Sequence, residues 1–373
     1  MSKIMDIKNK LHQEFVVDKV KNTDWESGSS APLVVEFDTT EVCNLACPGC
    51  ISEDLVCNKT SFSKERLLGL AEEMYEAGVK AVILIGGGEP LAHPAVGEFM
   101  EYLGSHDVSI GITTNGSFID RYQDTIAKYS DWTRVSVDAA TEETFHRLRP
   151  SKSGESEFAH VIGNMKSLAK VKKGKMGFSF LIRTQADGFG IASNIDEIFE
   201  AAKLAREIGC DYFEVKPSYN YAGGQDHALV RHEKEDMEKA RQEIEKLDRL
   251  ETDQFSIIKA INLADSLACV DRRQEKAYTR CPISELRTLV SPSGVYICPY
   301  WRGKEAYKIG NVHDMSFQEM WESQRRKDVM AYTDPHLKCK FHCLRHDSNI
   351  ELLRMVQAME GSIEKVKEYD RFI

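Results

Sequence analysis

The 373-residue sequence has no apolar run approaching bilayer length. Its N-terminus, MSKIMDIKNKLHQEF, lacks the uninterrupted apolar core of a signal peptide. These absences predict a cytoplasmic protein with no membrane partner. Basic charge is also short, since 59 acidic and 49 basic side chains leave a net charge of −10. A broad face for nucleic-acid phosphates is therefore not expected. There is no long internal repeat and no low-complexity tract, and a monomer is expected. Cysteine, by contrast, is plentiful at ten residues. In a reducing compartment thiols seldom form a disulfide framework, so metal or cluster ligation is the better expectation.

From residue 33, short β-branched runs alternate with helical patterns. LVVEFDT, AVILIG, VSIGITTNG, RVSVDAA, KMGFSFLIR and DYFEVKPSY read as six strands. Between the first two lies FSKERLLGLAEEMYEAG, whose Leu67, Leu70, Ala71 and Met74 share one helical face, with Gly78 as the stop. Such alternation predicts an α/β fold, a parallel sheet with crossover helices, either open or curled into a partial or full barrel. The expected organisation is a lead-in over 1–32, a β/α core over 33–220 and a helical linker or brace over 221–280. A cysteine-bearing C-terminal domain over 281–373 follows, with a hairpin at SPSG and closing helices.

CNLACPGC puts Cys43, Cys47 and Cys50 in the loop after the first strand, where β/α folds gather their ligands. A closed zinc site wants four ligands, and no fourth Cys or His stands at finger-like spacing. A 4Fe–4S cluster on three thiolates leaves one iron open to another ligand. Zinc and unliganded thiols are the alternatives. After the second strand comes Gly86-Gly87-Gly88-Glu89-Pro90, which lacks the Lys-Ser/Thr of a phosphate loop. Its glycines would let the backbone approach a ligand, and its carboxylate could accept from a cationic amine. A plain strand-end turn is the alternative.

Together, CNLACPGC and GGGEP resemble the radical S-adenosylmethionine (radical SAM) superfamily over residues 33 to 217. The resemblance implies a partial (β/α)6 barrel of parallel strands and a 4Fe–4S cluster on Cys43, Cys47 and Cys50. It implies S-adenosylmethionine chelated to the open iron and cleaved by one electron to methionine and a 5′-deoxyadenosyl radical. An electron donor such as flavodoxin or ferredoxin is the implied partner. By position, Gly87, Gly88 and Glu89 would receive the methionine amine, and Ser136 and Asp138 the ribose hydroxyls. Thr114 and Asn115 would touch cofactor or substrate, or form a turn. Arg183 would meet the cofactor carboxylate, and Lys216 would face the substrate. The family often has an aromatic residue before the last cysteine, where this chain has Gly49.

Cys281, Cys298, Cys339 and Cys343 are enough to close a cluster or a zinc site. With SPSGVYICPYW they resemble the SPASM/twitch extension of one radical SAM subgroup. Four cysteines fit the shorter twitch form, with one auxiliary 4Fe–4S cluster. Cys210 reads as core. Cys57 and Cys269 have bland readings beside a role as hydrogen donors to a substrate radical. His342 and His346 flank Cys343 and either support the cluster or lie at the surface. The cysteine arrangement most resembles twitch-type aminocyclitol dehydrogenases. An oxidoreductase acting on a carbinol of a polar small molecule (sugar, aminocyclitol or nucleoside-like) is therefore expected. Epimerisation, dehydration and deamination stay open. Maturation of a ribosomally made peptide is the alternative, although only about 30 residues precede the first strand, too few for a folded peptide-recognition module.

Overall fold

A computed structural model describes residues 7–220, 228–230, 232–269, 276–341, 343–358 and 363–373. The six expected strands are present: β1 (Val34–Phe37), β2 (Ala81–Leu84), β3 (Ser109–Thr114), β4 (Ser130–Ser136), β5 (Lys175–Leu181) and β6 (Tyr212–Lys216). Each pairs parallel to the next. Two short strands, β7 (Tyr219–Asn220) and β8 (Ala228–Leu229), form a separate ribbon.

Two features depart from the expected organisation. The 221–280 stretch is not helical throughout: Ser256–Lys259 forms β9, which lies parallel to β6 with Tyr212 opposite Ser256. The hairpin of β10 (Arg287–Ser291) and β11 (Gly294–Tyr296), followed by β12 (Lys308–Gly310), does not stand apart. β10 pairs parallel to β1, with Val34 opposite Arg287. One ten-stranded sheet thus runs β12-β11-β10-β1-β2-β3-β4-β5-β6-β9, with β12 and β9 as its edges. The two cysteine regions are joined by backbone hydrogen bonds.

The helix Lys64–Glu76 forms as its pattern predicts. Ser63 accepts the Arg66 N–H as N-cap, and Leu67, Leu70, Ala71 and Met74 are fully buried. Burying each leucine contributes roughly 2 kcal/mol. Cys210 lies in the core as expected. A second apolar cluster joins Val16, Val17 and Val20 of the N-terminal helix to Leu352 and Met355 of the helix His346–Gln357. Residues 363–373 lie across the amino ends of the strands. Lys10 pairs with Asp370 at 2.7 Å, Arg371 with Asp107 at 2.9 Å, and Phe372 packs on Trp132. Among the described residues, no helix is long and apolar enough to cross a membrane.

Candidate functional site

Cys43, Cys47 and Cys50 share the wall of one cavity of about 1220 Å³ with Gly88, Glu89, Thr114, Asn115, Ser136, Asp138, Arg183 and Lys216. Two guanidinium nitrogens of Arg183 donate to the Pro48 carbonyl, each at 3.2 Å, and its Nε donates to Asp187 at 2.5 Å. Arg183, expected at the cofactor carboxylate, thus lines the cavity with its guanidinium bonded to the cysteine loop. Asn115 Nδ2 points at Cys43 Sγ and Arg149 Nη1 at Cys47 Sγ, each at 3.9 Å. Burial, with Glu89 nearby, pushes the Cys43 thiol up to about 12, and burial also raises Cys47. Bare thiolates here would be costly, whereas cations bound to the sulfurs would offset that cost. Among the described residues, no three His, Cys, Asp or Glu side chains are drawn together for a single metal ion. A cubane, by contrast, spreads its thiolates over separate irons. Three thiols on one cavity wall, Cys43 and Cys47 half-buried with a donor aimed at each and Cys50 exposed, fit such a group.

The glycines of GGGEP answer to the chain's own backbone. A Cβ on Gly88 would lie 2.3 Å from the Val42 carbonyl oxygen, and one on Gly87 would lie 2.8 Å from Asp38. Glu89 N–H donates to that same Val42 oxygen at 2.9 Å, locking the segment against the cysteine loop. The Glu89 carboxylate accepts from Leu91 N (3.1 Å), Thr114 Oγ1 (2.6 Å) and Asn115 N (2.7 Å). It thereby ties the β2 loop to the β3 loop. Burial pushes its pKa up to about 7.

Asp138 has a left-handed backbone, φ +62°. Its carboxylate accepts from Leu181 N at 2.7 Å and Arg149 Nη2 at 2.5 Å. Ser136 lies beside Ser179 across the β4–β5 register, and Ser179 Oγ is buried with no partner among the described residues. Both line the cavity, as do Arg134 and Glu214, which pair at 3.1 Å. Lys216 Nζ stands 3.7 Å from Glu214, and burial lowers its pKa. Arg149 and Ser179 carried no motif. The period-2 alternation of KMGFSFL would have marked Ser179, since Met176, Phe178 and Phe180 all turn to the core.

Gly49 has φ +68°, and a Cβ there would sit 2.4 Å from the Phe189 ring. An aromatic ring therefore does stand beside the cysteine loop, supplied from residue 189.

Cys281, Cys298, Cys339 and Cys343 converge from the β10 approach, the end of the hairpin and the CKFHC segment. Cys339 is raised to about 12 by burial and by Cys281 and Cys343; the Cys298 thiol is pushed up as well, by burial and by Cys343 and Cys281. Ser284 Oγ donates to Cys281 Sγ at 3.3 Å and Asn349 Nδ2 at 3.5 Å. Lys276 donates to the carbonyls of Cys339 and Phe341. Four half-buried thiols, with two donors to the Cys281 sulfur, fit a closed cluster. His346 turns to Tyr278, its Nδ1 3.1 Å from the phenol oxygen. His342 lies outside the described residues. Cys57 is exposed, and Cys269 donates to the His232 carbonyl at 3.6 Å. Neither lines the cavity.

Residues 37–188 match the radical SAM superfamily, and residues 281–344 match the iron-sulfur cluster-binding SPASM domain. The chain thus carries a radical SAM domain, as a radical SAM enzyme does. It carries a SPASM extension, and the two domains together imply S-adenosylmethionine, a 4Fe–4S cluster and auxiliary cluster binding. The chain is 25% identical to the mycofactocin maturase MftC of Mycobacterium tuberculosis H37Rv, over 80% of this chain and 72% of that one. It is 23% identical to the subtilosin biosynthesis protein AlbA of Bacillus subtilis, over 81% and 63%. Among solved structures, S. suis SuiB bound to S-adenosylmethionine shares the fold with TM-score 0.61 and 16% identity, over 95% of this chain and 80% of that one. AdoMet-bound anSMEcpe shares it with TM-score 0.55 and 16% identity, over 89% and 100%.

Proposed function

We propose that this chain is an oxidative maturase of a ribosomally made peptide. Cys43, Cys47 and Cys50 hold the S-adenosylmethionine cluster, and Cys281, Cys298, Cys339 and Cys343 hold one auxiliary cluster. The observation that carries the substrate class is the match to MftC over 80% of the chain. AlbA, matched over 81%, agrees, and SuiB, on the same fold, binds its precursor peptide SuiA. Oxidation of a small-molecule carbinol, expected from the cysteine arrangement, finds no such support in these relatives. The cavity, about 1220 Å³, runs through the sheet's interior from the cysteine loop to the C-terminal tail. Ile51 and Leu344, both exposed, line it.

When bound, the cluster and S-adenosylmethionine supply the radical that takes a substrate hydrogen. The chain's own side chains do the holding. Arg183 fixes the cysteine loop through Pro48, and Asn115 and Arg149 donate toward the thiolates. Ser136, Ser179 and the Asp138–Arg149 pair present polar groups to the cofactor side, while Arg134, Glu214 and Lys216 face the substrate.

The test is anaerobic reconstitution with reductant, S-adenosylmethionine and the short precursor peptides encoded beside the gene. The expected result is peptide-dependent 5′-deoxyadenosine together with a mass change in the peptide. Turnover that responds to sugars or aminocyclitols and leaves every peptide unchanged would overturn the substrate class.

A further inference from the structure

Glu36 on β1 carries two arginines: Arg287 at 2.6 Å and Arg345 on the same carboxylate oxygen. All three line the cavity. Guanidinium groups keep their charge at any working pH; Arg287 Nη1 also donates to the Ile373 oxygen, and Glu36 is the carboxylate that the two arginines share. Glu36 Oε2, Arg287 Nε and Arg345 Nη1 are buried without a hydrogen-bond partner among the described residues. An isolated charge in that setting is costly and calls for a counter-charge nearby.

Arg345 stands two residues beyond Cys343. After Glu36, the groups that most favour its charged form are the sulfurs of Cys298, Cys343 and Cys281. Arg287 also feels Cys298. The guanidinium, paired with Glu36 of β1, thus has the four-cysteine site among its electrostatic neighbours. The sheet fixes this placement, because β10 is hydrogen-bonded to β1 and brings Arg287 alongside Glu36.

We propose that Arg345 is the fixed counter-charge of the auxiliary cluster and, opposed by Glu36, sets its reduction potential. The inference rests on the reading of Cys281, Cys298, Cys339 and Cys343 as cluster ligands. A cluster gains negative charge on reduction, so a fixed buried cation beside it favours the reduced form and raises the potential. The Glu36 carboxylate lowers it. Arg345 is here a positioning and tuning residue, acting through the cluster.

The experiment is a potentiometric titration followed by electron paramagnetic resonance. It uses full-length protein in which Cys43, Cys47 and Cys50 are replaced by alanine, so that only the auxiliary signal remains. R345M is expected to lower the midpoint by at least about 59 mV, a tenfold change in a one-electron equilibrium. R345K should restore most of that shift. E36Q should move the midpoint upward, which keeps the test open if R345M loses its cluster. A cluster signal whose midpoint is unmoved in the variants, or moved the same way by R345M and E36Q, overturns this inference alone. Absence of any auxiliary signal in the parent protein overturns the four-cysteine reading and this inference with it.

Discussion

Arg183 holds the Pro48 carbonyl between two N–H donors, each at 3.2 Å, and so braces the loop that carries all three N-terminal cysteines. Hydrogen bonds from a charged donor are worth about 1.5–3 kcal/mol each when buried. Arg183→Ala should therefore reduce 5′-deoxyadenosine formation at least tenfold and lower the iron retained at Cys43, Cys47 and Cys50. Arg183→Lys should recover only part, because an ammonium lacks the planar fork. Unchanged iron content and rate in Arg183→Ala would remove the brace from the account.

The Gly49–Phe189 contact gives a paired test. Gly49→Ala forces a side chain into a left-handed backbone and onto the Phe189 ring, at a cost of about 1–3 kcal/mol. Phe189→Ala opens the space, so Gly49→Ala in that background should cost less. Urea unfolding of the four proteins reads the coupling directly. Strict additivity would show that the ring and the glycine do not share the space.

Gly88→Ala should be worse. Its Cβ would meet the backbone oxygen of Val42, which accepts the Glu89 N–H and cannot swing away as a side chain can. We expect a loss of more than about 3 kcal/mol, or no soluble protein. Gly78→Ala is the control. It has a left-handed φ of +83°, like Gly49 and unlike Gly88, but open space around it, and it should cost only about 1 kcal/mol.

Glu89 predicts a pH dependence in the cluster-free protein. Its folded pKa is raised to about 7 from an ordinary 4.5 by burial. The folded state therefore holds a proton that the unfolded state releases first. The associated stability is present below about pH 4.5 and is lost as pH rises through about 7. The full loss is about 3 kcal/mol at 1.36 kcal/mol per pKa unit. Urea midpoints between pH 5 and 8 should fall in the wild type and stay flatter in Glu89→Gln. Parallel curves would contradict the raised pKa.

Much of this was readable in the residues, for physical reasons. Six strands were visible because each carries a β-branched run between helical patterns. Leu67, Leu70, Ala71 and Met74 announced a buried face by spacing alone. The join of β10 to β1 left no local sign, since pairing across some 250 residues is decided by tertiary packing. β9 was hidden because SIIK alternates over only four residues beside a long charged helix. Arg149 and Ser179 escaped notice because each matters for where the fold sends it. The glycines of GGGEP were expected to let the backbone approach a ligand, and what stands against Gly87 and Gly88 in the structure is Asp38, Glu41 and Val42 of the cysteine segment.

The central claim is that a 5′-deoxyadenosyl radical made at Cys43, Cys47 and Cys50 takes its hydrogen from a peptide. The most direct measurement supplies precursor peptide deuterated at carbon and determines the isotope content of the 5′-deoxyadenosine by mass spectrometry. Deuterium should appear in 5′-deoxyadenosine from the labelled peptide and not from labelled aminocyclitol or sugar. Deuterium transferred from the small molecule, with none from any peptide, would contradict it.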